Sequence, residues 1–219
     1  MRINIAIDGP SAAGKSTIAK ILAKRLGYVH LDTGSMYRTV AYLASQKNIS
    51  WEDEDALAAM IEATDLVIKS DGTIIADGVT ITNEIRTNEM SMGASAVSKH
   101  GKVRAALVAM QQNIAKNKGY ILDGRDIGTV VLKDAEVKIF LIASAEERAK
   151  RRVEQNKLNG IPYDYDNILA DIKQRDYQDI HRAVSPLKKA EDAIEIDSSF
   201  LSIEEVVDAM DKIIETKIK

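Results

Sequence analysis

Gly9-Pro10-Ser11-Ala12-Ala13-Gly14-Lys15-Ser16 combines two glycines, a lysine and a hydroxyl at a spacing suited to phosphate chemistry. It fits G-x-x-x-x-G-K-[ST], a loop that cradles a polyphosphate. Gly9 and Gly14 let the backbone bend and approach anionic oxygens closely. Successive amide N–H groups then turn inward, with the positive end of the following helix behind them. Gly9, Pro10, Ser11, Ala12, Ala13, Gly14, Lys15, Ser16 and Thr17 form the expected cradle for a polyphosphate. Lys15 would neutralise the β- and γ-phosphates, and the Ser16 hydroxyl would bind Mg²⁺.

Further charged residues stand where a strand is expected to end. Asp123 closes the apolar run Tyr120-Ile121-Leu122 and is the expected acid on the Mg²⁺ side, with Gly124-Arg125-Asp126 directly after it. Arg38 follows the turn Asp32-Thr33-Gly34 by about one helical turn. Arginine suits phosphate because its planar fork donates two hydrogen bonds at once. Arg175, Asp179 and Arg182 are spaced by four and three, so they share a helix face that begins with Ile168 and Ile172. A helix passing from a core into a polyanion cleft would show this switch, and so would a solvated row of ion pairs. His30 is expected to be a strand residue without chemistry, since nothing nearby in sequence pairs with it.

These residues need elements to hold them. Ile3–Asp8, Tyr28–Leu31, Tyr120–Asp123, Val137–Ile142 and Ala193–Ile196 read as five strands. Helical patterns alternate with them: Thr17–Leu26 closed by Gly27, a helix opening at Asp32–Arg38, and Glu52–Ala63 behind Ser50 and Asp53. Another helical region runs from about Thr87 to Gly119, with an apolar stripe at Val103, Leu107, Met110 and Ile114. Ser144 with Glu147 and Ser202 with Glu205 are capping boxes for later helices. Asn159-Gly160-Ile161-Pro162 breaks the first of these, and a long helix follows from about Asp166 to His181. Trp51 is expected to pack at its helix start. Between Asp65 and Ile81, short β-rich pieces separated by Ser70-Asp71-Gly72 and Asp77-Gly78 read as an antiparallel meander, too short to bury a core of its own. The expected class is therefore α/β: a five-stranded, mostly parallel sheet between helical layers, with ligands beyond the strands' carboxyl ends.

Composition narrows the function. The 219 residues suffice for one domain with a sizeable core. A net charge of −3 argues against a duplex nucleic-acid binder. No apolar run reaches membrane-spanning length, and Met1-Arg2 leads straight into the first strand without a signal peptide. The absence of cysteine removes disulfides and thiolate zinc sites, and fits a cytoplasmic protein. The guanine-reading N-K-x-D of a switch GTPase is missing, because Asn117-Lys118-Gly119-Tyr120 and Asn156-Lys157-Leu158-Asn159 both lack the aspartate.

Four motifs in order, Ile7–Thr17, Leu31–Arg38, Asp123–Val131 and Arg182-Ala183-Val184-Ser185-Pro186-Leu187, resemble those of bacterial cytidylate kinases over nearly the whole chain. The resemblance implies a three-layer P-loop fold with a β-rich insert in the nucleoside-monophosphate-binding region and a helical lid. It divides the single kinase domain into a core (1–34, 102–145, 185–219), a monophosphate-binding region (35–101, insert 65–86) and a lid with its following helix (146–184). It implies transfer of the ATP γ-phosphoryl group to CMP or dCMP with Mg²⁺, by a monomer. By the same resemblance, Arg38 and Arg125 would hold the acceptor phosphate, and Thr33, Arg104, Asp126 and Arg182 would surround the cytosine. Arg175, one helical turn from Asp179 and expected to orient it, would meet the pentose together with Asp179, with Ser95 supporting Asp179, and Arg151 would close from the lid; Lys15, Arg125, Arg151 and Arg182 would carry catalysis. A P-loop kinase with another acceptor, such as UMP, AMP or a small metabolite, is the rival reading. Asp126 with Arg104 speaks against it, since together they suit cytosine's amino donor and ring acceptors.

Overall fold

A computed structural model of the chain describes residues 2–69, 71–158 and 160–218. Met1 before the first strand, Ser70 in the expected insert turn and Asn159 in the expected helix break lie outside the described residues.

Five short apolar strands form one parallel sheet: β1 (Ile5–Asp8), β2 (Val29–Asp32), and then, beyond an insert, β6 (Tyr120–Gly124), β7 (Val137–Ile142) and β8 (Ile194–Asp197). Their order is β2-β6-β1-β7-β8. β1 lies in the middle and is buried along its whole length, as expected of a strand covered on both faces. Alternate side chains feed two cores. Ile5, Ile7, Ile121 and Ile139 pack with α1 (Lys15–Leu26) and α8 (Ile203–Ile218). Ala6, Leu31 and Leu122 pack with α2 (Thr33–Gln46), α3 (Glu54–Ala63), α4 (Asn88–Val97) and α5 (Gly101–Ala115).

The insert is a three-stranded antiparallel sheet of β3 (Leu66–Ile68), β4 (Ile74–Ala76) and β5 (Val79–Thr80). Asp77 and Gly78 join β4 to β5 with φ of 49° and 80°, the left-handed pair that a tight hairpin needs. The insert's small core borrows Tyr42 and Leu43 of α2, consistent with its being too short to stand alone.

Some boundaries differ from expectation. The region from Thr87 to Gly119 is two helices, because the chain leaves helical geometry around His100 (ψ 127°) before α5 begins. Asp53 alone caps α3, so that helix begins at Glu54 rather than Glu52. β8 starts one residue later than Ala193. Trp51 packs on the core and donates from Nε1 to the Ala41 carbonyl. Finally, α6 (Ala145–Leu158) and α7 (Tyr165–His181) lie beside each other over the carboxyl edge of the sheet. Arg148 pins them by a bidentate bond to Asp176 while also reaching the Ser11 carbonyl.

Candidate active site

The glycine loop joins β1 to α1 at the centre of the sheet's carboxyl edge. Gly9 has φ 150°, and a Cβ there would stand 2.0 Å from the Leu141 carbonyl oxygen of β7. Only glycine fits so close an approach. Gly14, at φ 95°, precedes α1, and no side chain among the described residues caps that helix. Its first amides are left to an outside acceptor, which suits an anion.

Lys15 is buried and donates from Nζ to the Pro10 carbonyl at 2.7 Å. Burial, then the nearby Arg125 charge, lowers its ammonium to about 7. The charge of a bound polyphosphate would offset both effects and favour the ammonium. Beside it the Ser16 hydroxyl donates to Oδ2 of Asp123 at 2.8 Å. A hydroxyl oxygen and a carboxylate are hard donors of the kind Mg²⁺ takes. No cluster of three or more protein metal ligands occurs among the described residues. Ser16 and Asp123 fit the protein side of a cation that phosphates and water would otherwise hold.

His30 corrects the sequence expectation. Its Nε2 lies 2.5 Å from Oδ1 of Asp123, both side chains being nearly inaccessible. Register explains the pair: Leu31 lies opposite Leu122, so His30 and Asp123 share a sheet face. No local sequence signal shows this, because 93 residues separate the two.

A cleft of about 890 Å³ runs from the glycine loop past β6 to α7. Its far half is built from charge. Asp126 binds Arg104 through Oδ2, and its Oδ1 stands 3.7 Å from Arg182. Arg182 donates from Nε to the Ser185 carbonyl. Arg125 donates from Nε to Asp179 Oδ2 at 2.7 Å. Thr33 donates to the Asp123 carbonyl, and Arg38 pairs with Asp32. Arg151 reaches the Ala13 carbonyl and Ser198 from α6.

The α7 row is therefore no solvated ion-pair ladder: Ile172 and Asp179 are buried, and Arg175 and Arg182 line the cleft. Two expected contacts differ. Arg125, rather than Arg175, holds Asp179. Ser95 donates to Gln178 Oε1 at 3.3 Å instead of supporting Asp179 directly. Arg152, which no sequence motif singled out, also faces the cleft. Burial, then Arg38, lowers its guanidinium. Burial, followed by Arg125, lowers Arg175 to about 10 despite Asp179. Nε of Arg38, Arg104 and Arg175 and Nη2 of Arg182 are buried without a hydrogen-bond partner among the described residues.

A family model for cytidylate kinase matches residues 5–216. The chain belongs to the cytidylate kinase family. A protein of Geobacillus sp. (strain WCH70) named cytidylate kinase is 52% identical over 219 residues, covering 99% of this chain and 98% of that one. Another of that name, from Caldicellulosiruptor bescii, is 54% identical over 209 residues, covering 94% and 92%. Among solved structures, a shikimate kinase from Bacteroides thetaiotaomicron superposes with a TM-score of 0.51 at 13% identity, covering 98% and 99%. That likeness is one of fold, and it agrees with the P-loop α/β architecture expected from the sequence. No helix among the described residues is long and apolar enough to cross a membrane.

Proposed function

We propose that the chain phosphorylates CMP and dCMP with ATP and Mg²⁺, giving ADP with CDP or dCDP. The observation that carries this reading is the set of buried, unpartnered arginine nitrogens converging on one cleft with the glycine loop. Unsatisfied guanidinium nitrogens are costly and repel one another, so the cleft is prepared for anionic partners. Two polyanions, one at each end, answer that preparation.

Gly9 to Thr17 hold the donor phosphates, and Lys15 leaves the Pro10 carbonyl for the β- and γ-phosphates. Ser16 and Asp123 would hold Mg²⁺, which would supply charge neutralisation for the donor phosphates. Arg38 and Arg125 align the acceptor phosphate. Asp126 accepts from the cytosine amino group through Oδ1, since Arg104 occupies its other oxygen, with Arg182 and Thr33 beside the ring. Asp179 meets the pentose with its free Oδ1, braced by Arg125, while Arg175 lies nearby and Ser95 acts through Gln178. Arg151 exchanges its present backbone contacts for the transferring phosphoryl group as α6 and α7 close. The attacking phosphate oxygen is already anionic, so no base is needed; alignment and charge stabilisation do the work.

The test is chromatography of the products of ATP, Mg²⁺ and CMP. Stoichiometric CDP and ADP are expected; ADP with unchanged CMP would contradict the reading.

A further inference from the structure

Both carboxylate oxygens of Asp123 are engaged. The Ser16 hydroxyl donates to Oδ2 at 2.8 Å, and His30 Nε2 lies 2.5 Å from Oδ1. The His30 and Asp123 side chains are 9% and 5% exposed. On the face they share, Ile121 of β6 clusters with Ile18 and Leu22 of α1, the helix that carries Ser16. The three groups thus come from three elements, and the sheet register together with that packing brings them to one point.

Asp123 already accepts the Ser16 proton on Oδ2, and a carboxylate only accepts, so His30 Nε2–H is the donor to Oδ1. A serine hydroxyl has one proton and two lone pairs. With its proton committed to Oδ2, the Ser16 oxygen keeps its lone pairs for a cation. The terminal torsion of an aspartate is soft, and a turn about it would remove the acceptor. The His30 bond opposes that turn.

We propose that His30 is a positioning residue for the divalent cation: by binding Asp123 Oδ1 it fixes the carboxylate so that Oδ2 takes the Ser16 proton and the Ser16 oxygen is free for the metal. The inference rests on the kinase reading, which supplies the nucleotide that brings the cation. Partners that orient groups around a metal typically contribute ten- to a hundredfold in affinity.

His30→Gln and His30→Met give side chains of similar size, of which only glutamine keeps an N–H donor. His30→Asn places its amide too short to reach, and serves as a second variant without the bond. Mn²⁺ is titrated by its paramagnetic resonance signal into the full chain with ADP bound, and ADP binding is measured in parallel with a metal chelator present. In His30→Met and His30→Asn, Mn²⁺ affinity is expected to fall about 10-fold or more. His30→Gln is expected to recover most of it, and metal-free ADP binding to stay unchanged in all three. The Mg²⁺ concentration for half-maximal turnover should follow the Mn²⁺ affinities. Wild-type Mn²⁺ affinity in both variants lacking the bond, or equal losses with glutamine and methionine, would overturn the proposal. If the Mn²⁺ pattern holds but the wild-type protein leaves CMP unphosphorylated, the role of His30 stands and the acceptor assignment falls.

Discussion

Arg125 donates from Nε to Asp179 Oδ2 at 2.7 Å, tying the carboxyl end of β6 to the last turns of α7. Arg125 is thereby oriented before any phosphate arrives, and the Asp179 carboxyl is held below its usual range: burial opposes the charge, but Arg125 and then Arg175 outweigh it. The other oxygen, Oδ1, stands 4.0 Å from Arg182 and is open to a pentose hydroxyl. Losing a charge-assisted hydrogen bond costs about 1.5–3 kcal/mol, or roughly 10- to 150-fold in rate when felt in the transition state. Asp179→Ala is expected to slow dCMP by this factor and to slow a 2′,3′-dideoxy analogue less. Steady-state kinetics of the two enzymes on the two sugars measure it. An equal loss on both sugars would mean that Asp179 serves only to orient Arg125.

On the proposed reading, Asp126 would set the base preference. Cytosine offers an amino group to Oδ1, whereas uracil would set a carbonyl against a buried carboxylate. Mismatched buried polar groups can discriminate by up to about 10⁴-fold. Asp126→Asn, which can donate as well as accept, should narrow the ratio of kcat/KM between CMP and UMP. The variant will also loosen Arg104, so the ratio, rather than CMP turnover alone, is the informative readout.

Lys15→Ala would remove the charge that, on the proposed reading, acts as negative charge develops on the transferring group. Turnover is expected to fall on the order of 10²-fold or more, with the melting temperature unchanged or raised, because the ammonium is buried against its own preference. A folded variant with near-wild-type turnover would remove the glycine loop from the chemistry.

Asp8 gives the stability a pH dependence. It is buried at the end of β1 and accepts from the backbone N–H groups of Ile127 and Gly128, each at 2.7 Å. Burial raises its carboxyl from 3.8 to about 6, with Asp126 adding to the rise; the two amides and Lys15 oppose it. Between these values the folded protein holds a proton that the unfolded chain releases. The contribution is therefore fully present below about pH 4, is lost as the pH rises through about 6, and is flat above. Two pKa units correspond to about 3 kcal/mol. Denaturant unfolding of wild type and Asp8→Asn should show the wild type losing about this much relative to the variant between acid and neutral pH. A constant difference would contradict the assignment.

Closure should guard the donor. Arg151 and Arg152 lie on α6, which packs along α7, and under the proposed closure both substrates would draw these helices in before charge is fully stabilised. ATP hydrolysis without an acceptor is therefore expected to be slow, because water competes only in an open site. Rapid acceptor-free release of ADP would argue for an ATP-driven module.

Much of this was legible in the sequence. Parallel strands buried on both faces read as apolar runs, which is why Val137–Ile142 matches β7 at both ends. Asp77-Gly78 marked its hairpin through φ preference alone. The glycine loop carried its own geometry. The remainder depended on contacts distant in sequence. His30 looked inert because its partner belongs to a strand 93 residues later, adjacent only once the β2-β6 order exists. Arg125 and Asp179 are 54 residues apart, so α7 spacing pointed instead to Arg175 as the nearer brace. The break at His100 has Gly101 beside it, but the apolar stripe of Val103, Leu107, Met110 and Ile114 carried the helical reading across it.

The central claim is that the cleft chooses cytidylate as acceptor. Its most direct test is ADP release from ATP and Mg²⁺ by the wild-type protein against CMP, dCMP, UMP, AMP and no acceptor. The expected result is high kcat/KM for CMP and dCMP, much lower values for UMP and AMP, and near-background release without acceptor. Equal kcat/KM for UMP and CMP, or a preference for AMP, would contradict the account.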